Sequence, residues 1–172
     1  MGGISGYGDF KGCINYGDIT GVSNVGGLTG KFDGSVNCPN CSNYGNVHGE
    51  TNVGGCVGFI SGQYAQYAKG LSNSGNVTGI QYVGGILGTF RNSGSSTTMT
   101  FSQCQNSGHV TGDNAVGGLI GRLQYKASAF SDNTISGTIK GKTNVGYLYG
   151  LTEKTVTDDG TNVFTGEVVI EE

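Results

Sequence analysis

Five stretches of this chain can be laid over one another without a gap. They are "CINYGDITGVSNVGGLTG" (13–30), "CSNYGNVHGETNVGGCVG" (41–58), "LSNSGNVTGIQYVGGILG" (71–88), "CQNSGHVTGDNAVGGLIG" (104–121) and "NTISGTIKGKTNVGYLYG" (133–150). Glycine stands at positions five, nine and eighteen of every copy, and valine at position thirteen: Val25, Val53, Val83, Val116 and Val145. Copy starts are 28, 30, 33 and 29 residues apart, and all of that variation falls in the connection after the last glycine. A unit this small cannot bury an apolar face by itself and must stack on copies of itself.

Within a copy the odd positions from one to nine carry Cys/Leu/Asn, Asn/Ile, Gly, Ile/Val and Gly, while the even ones are polar or variable. That alternation is a strand signal, and no helical spacing competes with it. Apolar residues return at position sixteen (Leu28, Cys56, Ile86, Leu119, Leu148). The expected fold is all-β: a parallel β-solenoid (β-helix) of about five coils over residues 1–150. "GGISG" (2–6) matches "GGLTG" (26–30) and opens the array as a partial coil, with Met1 where the valine belongs. This reads as a piece cut from a longer array. Residues 151–172, which hold half of the twelve acidic side chains, leave the motif and read as a capping segment or the start of the next one.

Stacking gives the composition its meaning. The 35 glycines make up about a fifth of the chain, against an average near ~7%, and only one proline accompanies them. Constant glycines then supply positive φ or close backbone approach at corners. Asn15, Asn43, Asn73 and Asn106 at position three form a ladder of amides along the axis, which Ile135 breaks in the fifth copy.

"CPNC" (38–41) raises the question of redox or zinc chemistry. Cys41 sits at position one beside Cys13, Leu71, Cys104 and Asn133. Counting three residues back aligns Cys38 with Phe10, Ala68, Phe101 and Phe130, and Cys56 lies in the position-sixteen column. Every cysteine thus falls on an apolar register, where a thiol acts as a small hydrophobe. His48 and His109 occupy different repeat positions and there is no second CxxC, so no zinc ligand set forms. A redox dithiol wants a helix N-terminus, and none is expected. A disulfide between stacked Cys13 and Cys41 stays open. No cofactor and no metal are expected.

Other signals weigh toward ordinary structure. "TDDGTN" (157–162) is the chemistry of a turn. Calcium-binding nonapeptides need an Asp in every unit, and this repeat has no constant carboxylate. Position eight (Thr20, His48, Thr78, Thr111, Lys140) starts a threonine ladder and interrupts it twice. With a net charge of −3 and scattered Lys and Arg, no basic stripe exists for nucleic acid. No apolar run approaches the ~20 residues of a membrane span, so no membrane insertion is expected.

The candidate binding residues are aromatic. Tyr16 and Tyr44 share outward position four in adjacent copies, and Tyr64 and Tyr67 lie in the connection "SGQYAQYAKG" (61–70). Exposed rings on a rigid scaffold can stack on sugars.

The motif C-x-N-x-G-x-V-x-G-(x)3-V-G-G-L-x-G resembles the GLUG-motif family, repeats found in large bacterial surface proteins, including adhesin-like chains and immunoglobulin-A-cleaving metallopeptidases. The resemblance covers residues 2–150, and the fifth copy departs from it at Asn133, Ile135 and Tyr147. It implies a secreted or cell-surface bacterial protein with the repeats as stalk or binding surface. No catalytic residue carries over, because H-E-x-x-H is absent. The expected function is a non-catalytic structural and adhesive module that binds glycan or a host protein. The alternatives are a polysaccharide-degrading β-helix enzyme and a passive spacer within a larger surface peptidase. For the enzyme, Asp18, Asn46, Asn76, His109 and Thr138 at position six offer no cluster of catalytic groups.

Overall fold

The structure is a computed structural model that describes residues 1–7, 12–62, 67–92, 98–124 and 128–172. Among these there is no helix, and every strand pairing is parallel. The chain winds as a β-solenoid of about five turns, with four sheets running along the axis. Each coil gives one sheet its connection and positions two and three. Positions seven and eight build a second sheet, eleven to fourteen a third, and seventeen to twenty-one a fourth.

Equivalent residues pair from coil to coil. Val25, Val53, Val83, Val116 and Val145 are consecutive partners, as are Asn15, Asn43, Asn73 and Asn106. The interior is therefore a set of columns. Val25, Val53, Val83 and Val116 are fully buried, as are Cys56 and Leu28 at position sixteen. Phe101 and Phe130 stack with ring centroids 4.9 Å apart, close to the ~4.8 Å that separates neighbouring strands.

The asparagine amides inside this core are satisfied along the axis. Asn43 Nδ2 donates to Gly45 O at 2.7 Å and to Asn73 Oδ1 at 2.8 Å, while Asn15 Nδ2 donates to Asn43 Oδ1 at 2.7 Å. Asn73 hands the ladder to Asn106 at 2.9 Å. Where Ile135 ends it, a second ladder starts at position one: buried Asn133 accepts from Cys104 N at 3.0 Å and donates to Asn162 Oδ1 at 2.8 Å. The departures of the fifth copy are thus a change of column, with every amide still paired.

The constant glycines act through close approach and not through φ. None at positions five, nine or eighteen has a positive φ. A Cβ on Gly75 would meet the Gly45 carbonyl, and one on Gly108 the Gly75 carbonyl. The left-handed residues lie elsewhere. Position twelve is left-handed in every copy (Asn24, Asn52, Tyr82, Ala115, Asn144), as is the residue before position one (Gly12, Asn40, Gly70, Gln103, Asp132).

Residues 151–172 rejoin the repeat. Val163 and Phe164 pair with Thr134 and Ile135, and Glu167–Ile170 pairs with Thr138–Gly141, which adds a partial coil. At this end Tyr147 replaces the position-fifteen glycine. In the other copies a Cβ at that position would run into the next coil: on Gly55 it would meet Gly85 O and the Asn73 amide. A side chain here points along the axis, and Tyr147 lies over the coil end. Its hydroxyl donates to Asp158 Oδ2 at 2.7 Å, and its ring lies 5.5 Å from Phe164.

The Tyr147 bond, with those from Asn162 and Gly160 N, holds the Asp158 carboxyl below its usual range. The bond to Asp158, with partial burial, holds the Tyr147 phenol above its own. A depressed carboxylate contributes stability that is present above its unfolded pKa and lost as pH falls through the folded value. A raised phenol contributes below its unfolded pKa and fades as pH rises through the folded one. Melting temperature measured against pH is therefore expected to fall less steeply below pH 4 in Asp158→Asn than in the parent chain.

Candidate functional site

Coil stacking builds the aromatic pair. The strands Ile14–Asn15 and Val36–Asn43 are partners in register, so the residues that follow them, Tyr16 and Tyr44, leave the sheet one above the other. Their rings are stacked, 5.1 Å between centroids and 10° between planes, and they are 73% and 49% exposed. Beside them Ile14 is also exposed. The column continues as Ser74 and Ser107, whose hydroxyls bond at 3.1 Å, so the aromatic platform stops at Tyr44.

Tyr67 is exposed on the strand Tyr67–Asn73, where it pairs with Thr100. It lies four residues before position one, on the connection side of that sheet, and is not brought beside Tyr16 and Tyr44. Tyr64 lies outside the described residues.

The position-six side chains tie coils together. Asp18 Oδ1 accepts from Asn46 N at 2.7 Å, Asn46 Oδ1 from Asn76 N at 3.1 Å, and Asn76 Oδ1 from His109 N at 3.1 Å. His109 Nδ1 accepts from Thr138 N at 3.1 Å. In "TDDGTN", Asp158 Oδ1 accepts from Gly160 N at 2.9 Å and Asp159 Oδ1 from Thr161 N at 3.0 Å, the hydrogen bonding of Asx turns. Among the described residues no three His, Cys, Asp or Glu side chains are grouped to hold a metal ion.

At CPNC the structure corrects the alignment read from sequence. Val36, not Cys38, pairs with Ala68 in the column of Phe101 and Phe130. Asn37 pairs with Lys69 and Cys41 with Leu71. Three residues, Cys38, Pro39 and Asn40, therefore face the single Gly70 opposite. Counting back three residues fails because this strand carries a bulge. Cys38 and Cys41 are both fully buried, as expected of core positions, but their sulfurs are joined to each other in a disulfide. The Cys13–Cys41 pairing left open above is thus not formed, and Cys13 N donates instead to Cys41 Sγ at 3.4 Å.

Cys56 and Cys104 keep buried thiols, which donate to backbone carbonyls. Burial pushes the Cys104 thiol up to about 11 and the Cys56 thiol well above its ordinary value. Because the thiolate is the reactive form, iodoacetamide on the native chain is expected to spare Cys56 and Cys104. Unfolding should expose both to alkylation, read by peptide mass spectrometry.

The bulge also shapes a feature that the sequence reading missed. In the column before position one, Gly70 lies between Asn40 and Gln103 and leaves a notch. The resulting groove of about 240 Å³ is lined by Asn40, Ser42, Ser72, Gln103 and Gln105. Extending each repeat one residue toward the N-terminus would have exposed this column. Comparison of the chain with protein-family models, with curated protein sequences and with solved structures gives no match.

Proposed function

We propose that this chain is a non-catalytic structural and adhesive module of a bacterial surface or secreted protein, a rod whose Tyr16–Tyr44 face binds glycan. The observation that carries the reading is the aromatic pair, two parallel exposed rings fixed by the coil spacing. Sugar rings present apolar faces that stack on such platforms, and a platform set by backbone register loses little entropy on binding. The likeness of the repeat to GLUG motifs supports the surface location.

The purified chain is expected to bind glycans on an array and to release no product from them. Tyr16→Ala with Tyr44→Ala should weaken binding by about tenfold or more, in line with ~0.5–1.5 kcal/mol per aromatic contact. Tyr67→Ala should leave it unchanged. Retention of a host protein with no glycan bound, or product release, would contradict the reading.

A further inference from the structure

Several polar columns of this molecule are spent on the molecule itself. The position-three amides bond each other, the position-six side chains bond the next coil, and at position twelve Asn52 Nδ2 donates to Asn24 Oδ1 at 3.0 Å. Among the described residues, the side chains of Asn40, Ser42, Ser72, Gln103 and Gln105 make no hydrogen bond to another protein group. These are the polar side chains that line the groove at Gly70, beside Cys41 and Leu71.

The groove is a built feature. Gly70 has φ +73°, and a Cβ there would come within 3.0–3.1 Å of Pro39 backbone atoms, so the notch cannot be filled without disturbing the bulge. Asn40, left-handed at φ +67° like the residue before position one in every copy, stands on one wall, with Gln103 on the other. At about 240 Å³ the space falls below the ~300–1,000 Å³ of drug-sized ligand sites and suits a single ring.

No lining residue is ionisable. An anion would look for Lys or Arg and a cation for carboxylates. Side-chain amides and hydroxyls instead donate and accept at once, as sugar hydroxyls do. Ser42 lies two residues before Tyr44 and on the same face, roughly 7 Å along the strand.

We infer that the Gly70 groove is a second subsite of the glycan surface. It seats one uncharged sugar unit, whose hydroxyls bond Asn40, Gln103, Gln105, Ser42 and Ser72, while a neighbouring unit stacks on Tyr44. This inference rests on the glycan reading above and adds the place and the charge class of the ligand.

The test is titration of the ¹⁵N-labelled chain with hexamers of glucose, mannose, galactose and N-acetylglucosamine, and with a sialylated hexamer. The side-chain amide signals of Asn40, Gln103 and Gln105 are followed alongside the tyrosine rings. A neutral hexamer is expected to shift both sets. Gln103→Gly with Gln105→Ser gives the fourth copy the residues that the third carries as Gly70 and Ser72, and so preserves the fold; it should weaken binding at least tenfold. Binding that shifts the tyrosines, leaves the three amides unmoved and is indifferent to the double substitution would overturn the subsite and spare the glycan reading. Stronger binding of the sialylated hexamer would overturn the neutral class. Binding of none of the hexamers would overturn both.

Discussion

Gly75→Ala is expected to cost more than ~4 kcal/mol, the range reserved for substitutions that strike a backbone that cannot yield. A Cβ on Gly75 would be driven into the Gly45 carbonyl, with Tyr44 O 3.1 Å away. Both belong to the neighbouring coil, and neither can retreat without breaking the ladder in which Ser74 N donates to Asn43 O at 2.8 Å. Against a total stability of ~5–15 kcal/mol, the loss should leave a large unfolded fraction or lower the melting temperature by roughly 10 °C or more. Gly12→Ala is the control: its φ is +58° and nothing lies within 4 Å of the added methyl. It should cost only the ~1–2 kcal/mol of a left-handed L-residue. Urea denaturation of the two variants separates close approach from backbone conformation as the reason for glycine.

Asn43→Ala should be the next most damaging change, at about 3–5 kcal/mol. The side chain is fully buried and makes three bonds, to Gly45 O, Asn73 Oδ1 and Asn15 Nδ2. Removing it strands the buried Asn73 oxygen and empties the space facing Gly27, whose Cβ position lies against this amide. Asn106→Ala should cost less, because Asn106 ends the ladder: it accepts from Asn73 and donates to Gly108 O, but has no amide beyond it. A gradient between these two variants in thermal unfolding would show that the amides act as a chain of bonds and not as independent residues.

Much of this architecture was legible because the repeat is gapless from position one to eighteen. The repeat alone assigns each constant valine, the position-three asparagines and each position-sixteen residue to a column, and the pairings of Val83 and Asn73 follow those columns. Legibility failed where the copies differ in length. Cys38 was misplaced because the bulge adds residues that a count along the sequence cannot detect, and with it went the disulfide and the Gly70 groove. The coil register of the tail was hidden for a related reason. Of the constant glycines "NVFTGEVVI" (162–170) keeps only the one at position five, Gly166, yet its strands continue the coil. Left-handed sites were hidden too, because Tyr82, Ala115 and Gln103 are not residues that announce a positive φ. At the candidate site, Tyr16 and Tyr44 were found from their shared position, whereas Tyr67 was grouped with them through chemistry alone and lies apart.

All of this depends on neighbouring copies lying side by side in parallel, with like residues adjacent. Scalar couplings across hydrogen bonds, recorded on the deuterated, ¹³C,¹⁵N-labelled chain, report each donor and acceptor directly. They should link Val47 N–H to the Asn76 carbonyl, Val77 N–H to that of His109 and Gly79 N–H to that of Thr111, where the N···O distances are 2.8, 2.8 and 3.0 Å. Couplings confined within single copies, as hairpins would give, or links offset from these partners, would contradict the stacked-coil account.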